Sequence, residues 1–162
     1  MNNKVLVAYF SVTGNTAKVA QSMAEILDAP IYEIVPEAPY SDADLDWKDP
    51  NSRSTVEMKN RSSRPSIADA NAPVEDADTI LLGFPVWWHT APHIVWSFLE
   101  QYDFSGKTII LFGTAGSETT VDTAVEDLKR RAPDAILKAG VSWTQTPDKE
   151  TVTEFLKEQG LV

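Results

Sequence analysis

Apolar residues along this chain come in two alternating rhythms. "KVLVAYF" (4–10) is almost continuously apolar, as a strand covered on both faces must be. "TGNTAKVAQSMAEILD" (13–28) follows, with Ala17, Ala20, Met23, Ala24 and Leu27 at helical spacing. The alternation repeats to the end of the chain. "IYEIV" (31–35), "DTILLGF" (78–84), "KTIILFGT" (107–114) and "DAILKAGVSW" (134–143) read as strands, and 92–103, 119–132 and 148–160 read as helices. Pro92 suits a first helical position and Gly160 a C-terminal stop. Five strands separated by helices predict an α/β fold: a three-layer sandwich, with a parallel sheet, right-handed crossovers and helices on both faces.

One region breaks the rhythm. Residues 36–73 are polar, hold five of the ten prolines and are too long for a plain connection. Within them "NSRSTVEMKNR" (51–61) predicts the second crossover helix, capped by Asn51 or Ser52, with loops on either side. At 162 residues the whole chain, 1–162, is expected to form one domain.

Composition narrows the function classes. The absence of cysteine excludes disulfides, thiolate zinc sites, iron–sulfur clusters and cysteine nucleophiles. The apolar runs are far shorter than the ~20 residues of a membrane span, and "MNNKVLVAYFSVTGNT" reads as a strand rather than a signal peptide, so the expected location is cytoplasmic. A net charge of −10 argues against nucleic acid and anionic membranes and favours basic partners.

The chemistry concentrates in the turns. In an open parallel sheet, ligands bind beyond the carboxyl ends of the strands. The first such turn, "SVTGNT" (11–16), offers the hydroxyls of Ser11, Thr13 and Thr16, the Asn15 amide, and Gly14, at a helix start that favours anions. It lacks the lysine of a G-x-x-x-x-G-K-[ST] loop, and no G-x-G-x-x-G is present. The pattern fits one unreacting phosphate held by neutral donors, as well as an ordinary capped turn. After the third strand comes "GFPVWWHTAPH" (83–93). Adjacent strand residues point to opposite faces, so one of Trp87 and Trp88 can enter the core while the other stands at the ligand edge, where an indole is a platform for a flat ring. After the fourth strand, "GTAGSETT" (113–120) lets the backbone approach a polar ring edge. Together the three turns describe a nucleotide-like ligand with one phosphate and a large flat ring.

These motifs resemble the flavodoxin family. "YFSVTGNTAKVA" is similar to its phosphate loop, "GFPVWWHTAP" to the P-x-W-W loop of a short bacterial branch, and "FLEQYDFSGKTIILFGTAGS" to the run that follows in that branch. The resemblance implies a flavodoxin-like sheet of order 2-1-3-4-5 with noncovalent FMN. Carried over, Ser11, Thr13, Gly14, Asn15 and Thr16 hold the phosphate. Pro85, Val86, Trp87, Trp88 and His89 line the isoalloxazine, and Thr114, Ala115, Gly116 and Ser117 its other edge. His89 stands where this branch usually has glycine. The resemblance implies that a peptide there turns toward flavin N5 when one electron is added, and a histidine raises the cost of positive φ. The expectation is a less stable one-electron-reduced flavin, or a histidine bonded to the flavin or its partner, or else a histidine that is only a solvent-facing loop residue.

The function expected from this resemblance is a low-potential electron carrier serving redox partner proteins with basic docking surfaces (a reductase and an acceptor), without a catalytic residue of its own and monomeric. The alternative is an FMN-dependent NAD(P)H oxidoreductase acting on quinones or similar acceptors, for which no basic cluster reads clearly as a nucleotide-phosphate site. A receiver-type phosphate module is disfavoured by the missing acidic run after the first strand. His89 and His93 lie four apart, but Pro92 separates them and no metal site is expected. Arg53, Arg61 and Arg64 form a basic cluster of the irregular region that could approach the cofactor or a partner, but they are expected to be surface arginines.

Overall fold

The computed structural model describes residues 4–116 and 120–162. The chain alternates strand and helix: β1 (Val5–Tyr9), α1 (Asn15–Leu27), β2 (Ile31–Glu33), α2 (Arg53–Lys59), β3 (Thr79–Pro85), α3 (His93–Gln101), β4 (Thr108–Thr114), α4 (Asp122–Lys129), β5 (Ile136–Trp143) and α5 (Lys149–Glu158). The sheet is parallel throughout and runs β2-β1-β3-β4-β5, the α/β architecture and strand order expected.

Register turns the apolar runs into two cores. Val7, Leu81 and Ile110 pair across β1, β3 and β4 and meet Val19 and Met23 of α1 and Val152 and Leu156 of α5 on one face. One step along each strand, Leu6, Ile80 and Ile109 pair and meet Ile94 and Phe98 of α3 and Leu128 of α4 on the other. A strand covered on both faces has no polar side to show, which is why β1, β3 and β4 read as unbroken apolar runs. β2 and β5 lie at the edges, and the pattern is mixed there: Ile31 and Ile136 are exposed.

Two close approaches fix how β4 meets its neighbours on either side. A Cβ on Gly83 would lie 2.1 Å from the ring of Phe112, its register partner on β4. A Cβ on Gly140 would lie 2.0 Å from the Leu111 carbonyl, where the β4–β5 register shifts between Ile110 and Phe112.

Elements are shorter than the periodicity suggests, mostly at their ends. The helix expected over 51–61 covers Arg53–Lys59, and Ser52 is its cap, accepting from the Thr55 amide. Asn60 then turns extended, which ends it. The chain around α2 is irregular but bonded: Pro36 and Ile67 form an antiparallel bridge, and the Arg53 guanidinium donates to Glu57 and to the Ala38 carbonyl. α5 is capped by Asp148, which accepts from Thr151 at 2.8 Å. Among the described residues no helix is long and apolar enough to cross a membrane. Chain order reverses between β1 and β3, so their carboxyl ends part around a crevice.

Candidate functional site

The turn after β1 is built by Ser11. Its Oγ accepts from the amides of Gly14 at 3.2 Å and Ala17 at 3.3 Å, drawing the loop over the first turn of α1. Gly14 sits at φ 93 as the residue before the helix, a left-handed geometry that glycine adopts without strain. The amides of Asn15 and Thr16 are of the kind a helix start leaves for a ligand. Thr16 itself is 1% exposed, and its hydroxyl pairs at 2.8 Å with that of Thr114 at the end of β4. Of the phosphate-loop residues named from sequence, Thr13 and Asn15 line a cavity, while Ser11, Gly14 and Thr16 shape the loop around it.

That cavity, of about 280 Å³, is lined by Thr13, Asn15, Thr114, Trp87 and Ala115, by Trp143 at the end of β5 and by Thr144 to Thr146 after it. A second cavity of about 690 Å³ shares Val86, Trp87, Ala115 and Gly116 with it and adds Leu45, Trp47, Ser54, Trp88 and His89. The pair make one elongated site, hydroxyl- and amide-rich at one end and aromatic at the other. Among the described lining residues none is Lys, Arg, Asp or Glu. Pro85 lines the first cavity; Ser117 lies outside the described residues.

The two tryptophans differ in exposure, and neither is fully buried. Both lie beyond β3, which ends at Pro85, so a turn rather than strand alternation sets their directions. Trp87 is half-buried and is held edge-on by Phe10, with ring centroids 5.9 Å apart, and by Tyr40 at 5.7 Å. Tyr40 is fixed in turn by a hydrogen bond to Glu57 and by the Arg53 guanidinium 3.8 Å from its ring centroid. Burial first, and then the Glu57 carboxylate, push its phenol pKa far up, so it stays neutral. Trp88 is 44% exposed at the cavity mouth.

Trp88 and His89 are the two central residues of a tight hairpin. The Trp87 amide donates to the Thr90 carbonyl at 2.9 Å, and the Thr90 amide returns the bond at 3.0 Å. Their φ values are 47 and 67. The positive φ that a glycine would take freely at position 89 is therefore adopted by a histidine, and by the tryptophan before it.

Sequence reasoning missed two groups of wall residues. Leu45, Trp47 and Ser54 come from the irregular region, whose polar, proline-rich pattern gave no period to place them. Trp143 ends β5 and Thr144 to Thr146 follow it, and the rule applied to the other strand ends would have found them. Trp47 is 68% exposed, a large aromatic left at the ring end of the site. The arginines separate. Arg53 belongs to the Tyr40 buttress, whereas Arg61 and Arg64 join Arg131 around Trp96 of α3, with guanidinium carbons 5.6, 5.0 and 4.1 Å from its ring centroid. His93 stacks on the same indole at 4.0 Å. Burial, reinforced by these three arginines, lowers its pKa to about 4.

Comparison with known proteins gives a consistent picture. A family model described as Flavodoxin matches residues 4–159. Among solved structures, an inferred flavoprotein from Bacteroides uniformis is 41% identical, with 97% of this chain and 99% of that one covered at a TM-score of 0.88. A second, from Bacteroides eggerthii, is 35% identical, with 97% and 98% covered at 0.87. A flavoprotein from Lactobacillus acidophilus, solved in complex with FMN, is 23% identical, with 94% and 98% covered at 0.69, a likeness of fold. No match is found among curated proteins.

Proposed function

The chain belongs to the flavodoxin family, and we propose that it holds one FMN across the two joined cavities and carries electrons at low potential between partner proteins. The observation that carries this reading is the lining. Neutral donors, Thr13, Asn15 and the helix start, occupy one end, and the indoles of Trp87, Trp88 and Trp47 occupy the other. That donor set suits a terminal phosphate monoester that takes no part in chemistry, and the aromatic end suits a flat ring system.

When bound, FMN supplies the one- and two-electron chemistry. The chain's own residues bind, orient and shield. Trp87 is oriented by its T-shaped contacts with Phe10 and Tyr40. Thr114, tied to Thr16, keeps the end of β4 against the phosphate loop. A net charge of −10 disfavours further negative charge on the ring, which lowers the potential of the second electron. It also steers basic partner surfaces to the site, an effect that weakens with salt.

Titration of the apoprotein with FMN and with riboflavin tests the reading. FMN is expected to bind at least ~100-fold more tightly, since charge-assisted bonds to the phosphate are the strong ones. Equal affinity would remove the phosphate role of Thr13 and Asn15. A second reading, an FMN-dependent NAD(P)H oxidoreductase acting on quinones or similar flat acceptors, draws support from the larger cavity, whose walls at Leu45, Trp47 and Trp88 are apolar. Anaerobic mixing with NADPH separates the two: direct bleaching at turnover rates supports the enzyme, and bleaching only through an added reductase supports the carrier.

A further inference from the structure

The hairpin at Trp88 and His89 is built against the preferences of its own residues. Positive φ at both central positions is the mark of a type I′ turn, a geometry that Asn-Gly or Gly-Gly adopts readily. For residues with a Cβ, the left-handed region is disfavoured, because the Cβ crowds the following carbonyl oxygen. Two consecutive residues with large side chains therefore need an outside restraint.

One such restraint reaches the turn from α4. The Thr90 hydroxyl, on the residue that closes the turn, donates to Asp127 Oδ2 at 2.6 Å. Asp127 Oδ1 faces the Arg61 guanidinium at 3.6 Å. Thr90 is thus bound on both sides: its amide and carbonyl to Trp87, its side chain to Asp127. The chain then passes into buried Ala91 and into α3, so the turn has a fixed base. Its tip, Trp88 and His89, lines the aromatic end of the site.

We propose that Asp127 is a positioning residue for the flavin: through Thr90 it holds the Trp88–His89 peptide in its left-handed geometry against the ring end of the cavity. The proposal rests on the reading that this site takes FMN. Peptide groups beside the ring are dipoles whose energy changes when charge or a proton is added to it, so their orientation tunes the cofactor. A clamped turn fixes that orientation across redox states. Asp127 therefore helps to set the separation between the first and second one-electron potentials, although it lines neither cavity.

The test uses the full chain loaded with FMN, with an affinity titration and a spectroelectrochemical titration for each variant. Thr90→Val removes the hydroxyl and keeps the shape; Asp127→Ala removes the acceptor and decides the matter if Thr90→Val does not fold. Either is expected to change the equilibrium between the one-electron and two-electron forms by about threefold or more, whereas Thr90→Ser, which keeps the donor, stays within that range. In a His89→Gly background the effect of Thr90→Val should shrink, because glycine needs no clamp to reach positive φ. A folded variant that no longer takes FMN counts for the proposal. Thr90→Val or Asp127→Ala with wild-type affinity and unchanged potentials overturns it. A wild-type protein that takes no FMN overturns the function reading first, a result visible before any variant is made.

Discussion

Thr16 at the start of α1 and Thr114 at the end of β4 share a buried hydroxyl pair at 2.8 Å across 98 residues of sequence. The contact joins the first turn of α1 to the last residue of β4, beside the proposed phosphate end. Replacing either threonine by valine leaves the other hydroxyl buried without its partner, at a cost of about 1–3 kcal/mol. Replacing both removes the unpaired group, so the double variant should be less destabilised than the sum of the single ones. Urea unfolding of the three variants checks this, and strict additivity would mean the pair is not coupled.

Trp47 and Trp87 separate binding from folding. Trp47 is 68% exposed, so Trp47→Ala should leave the melting temperature of the apoprotein nearly unchanged. It should still weaken FMN, by about 10-fold to 100-fold, if its indole covers the ring. Trp87 packs on Phe10 and Tyr40, and Trp87→Ala should lower both stability and affinity. Calorimetric melting with an FMN titration for each variant checks the contrast.

The sequence made the central strands and the site's first loop legible for a physical reason. β1, β3 and β4 are covered on both faces, and the Ser11–Thr16 turn carries its chemistry in consecutive residues. Strand order was not contained in periodicity and came through resemblance. The irregular region was opaque because its order comes from individual bonds, Arg53 to the Ala38 carbonyl and Tyr40 to Glu57, rather than from an apolar face. Its Tyr40 and Trp47 reach the site by that route. The convergence of Arg61, Arg64 and Arg131 on Trp96 joins separate elements and leaves no local signature.

Gly140 and Gly83 should differ in tolerance although their gaps are alike. An added methyl at Gly140 meets the Leu111 carbonyl, part of the sheet itself, which cannot yield without breaking the β4–β5 register. At Gly83 it meets the Phe112 ring, a side chain that can turn at the expense of its own packing. Overpacking of this kind costs about 1–3 kcal/mol, and Gly140→Ala is expected at or above the top of that range, with Gly83→Ala below it. Equilibrium unfolding of the two variants ranks them, and the reverse order would show that the ring is the stiffer neighbour.

His93 gives the fold an acid sensitivity whose sign is fixed by its surroundings. Its pKa is lowered to about 4 by burial and then by Arg64, Arg61 and Arg131, while in the unfolded chain it returns to about 6.5. Between those values the unfolded state binds a proton that the folded state refuses. Stability that is complete above about pH 6.5 therefore falls as the pH drops, by at most about 1.4 kcal/mol per pH unit, and levels off below about pH 4. Carboxylates titrate in the same window, so the measurement is the difference between wild type and His93→Gln. The wild type should lose stability faster than the variant from pH 6.5 to 4, and parallel curves would show that the imidazole is protonated in the folded protein, despite the three arginines that crowd Trp96 beside it.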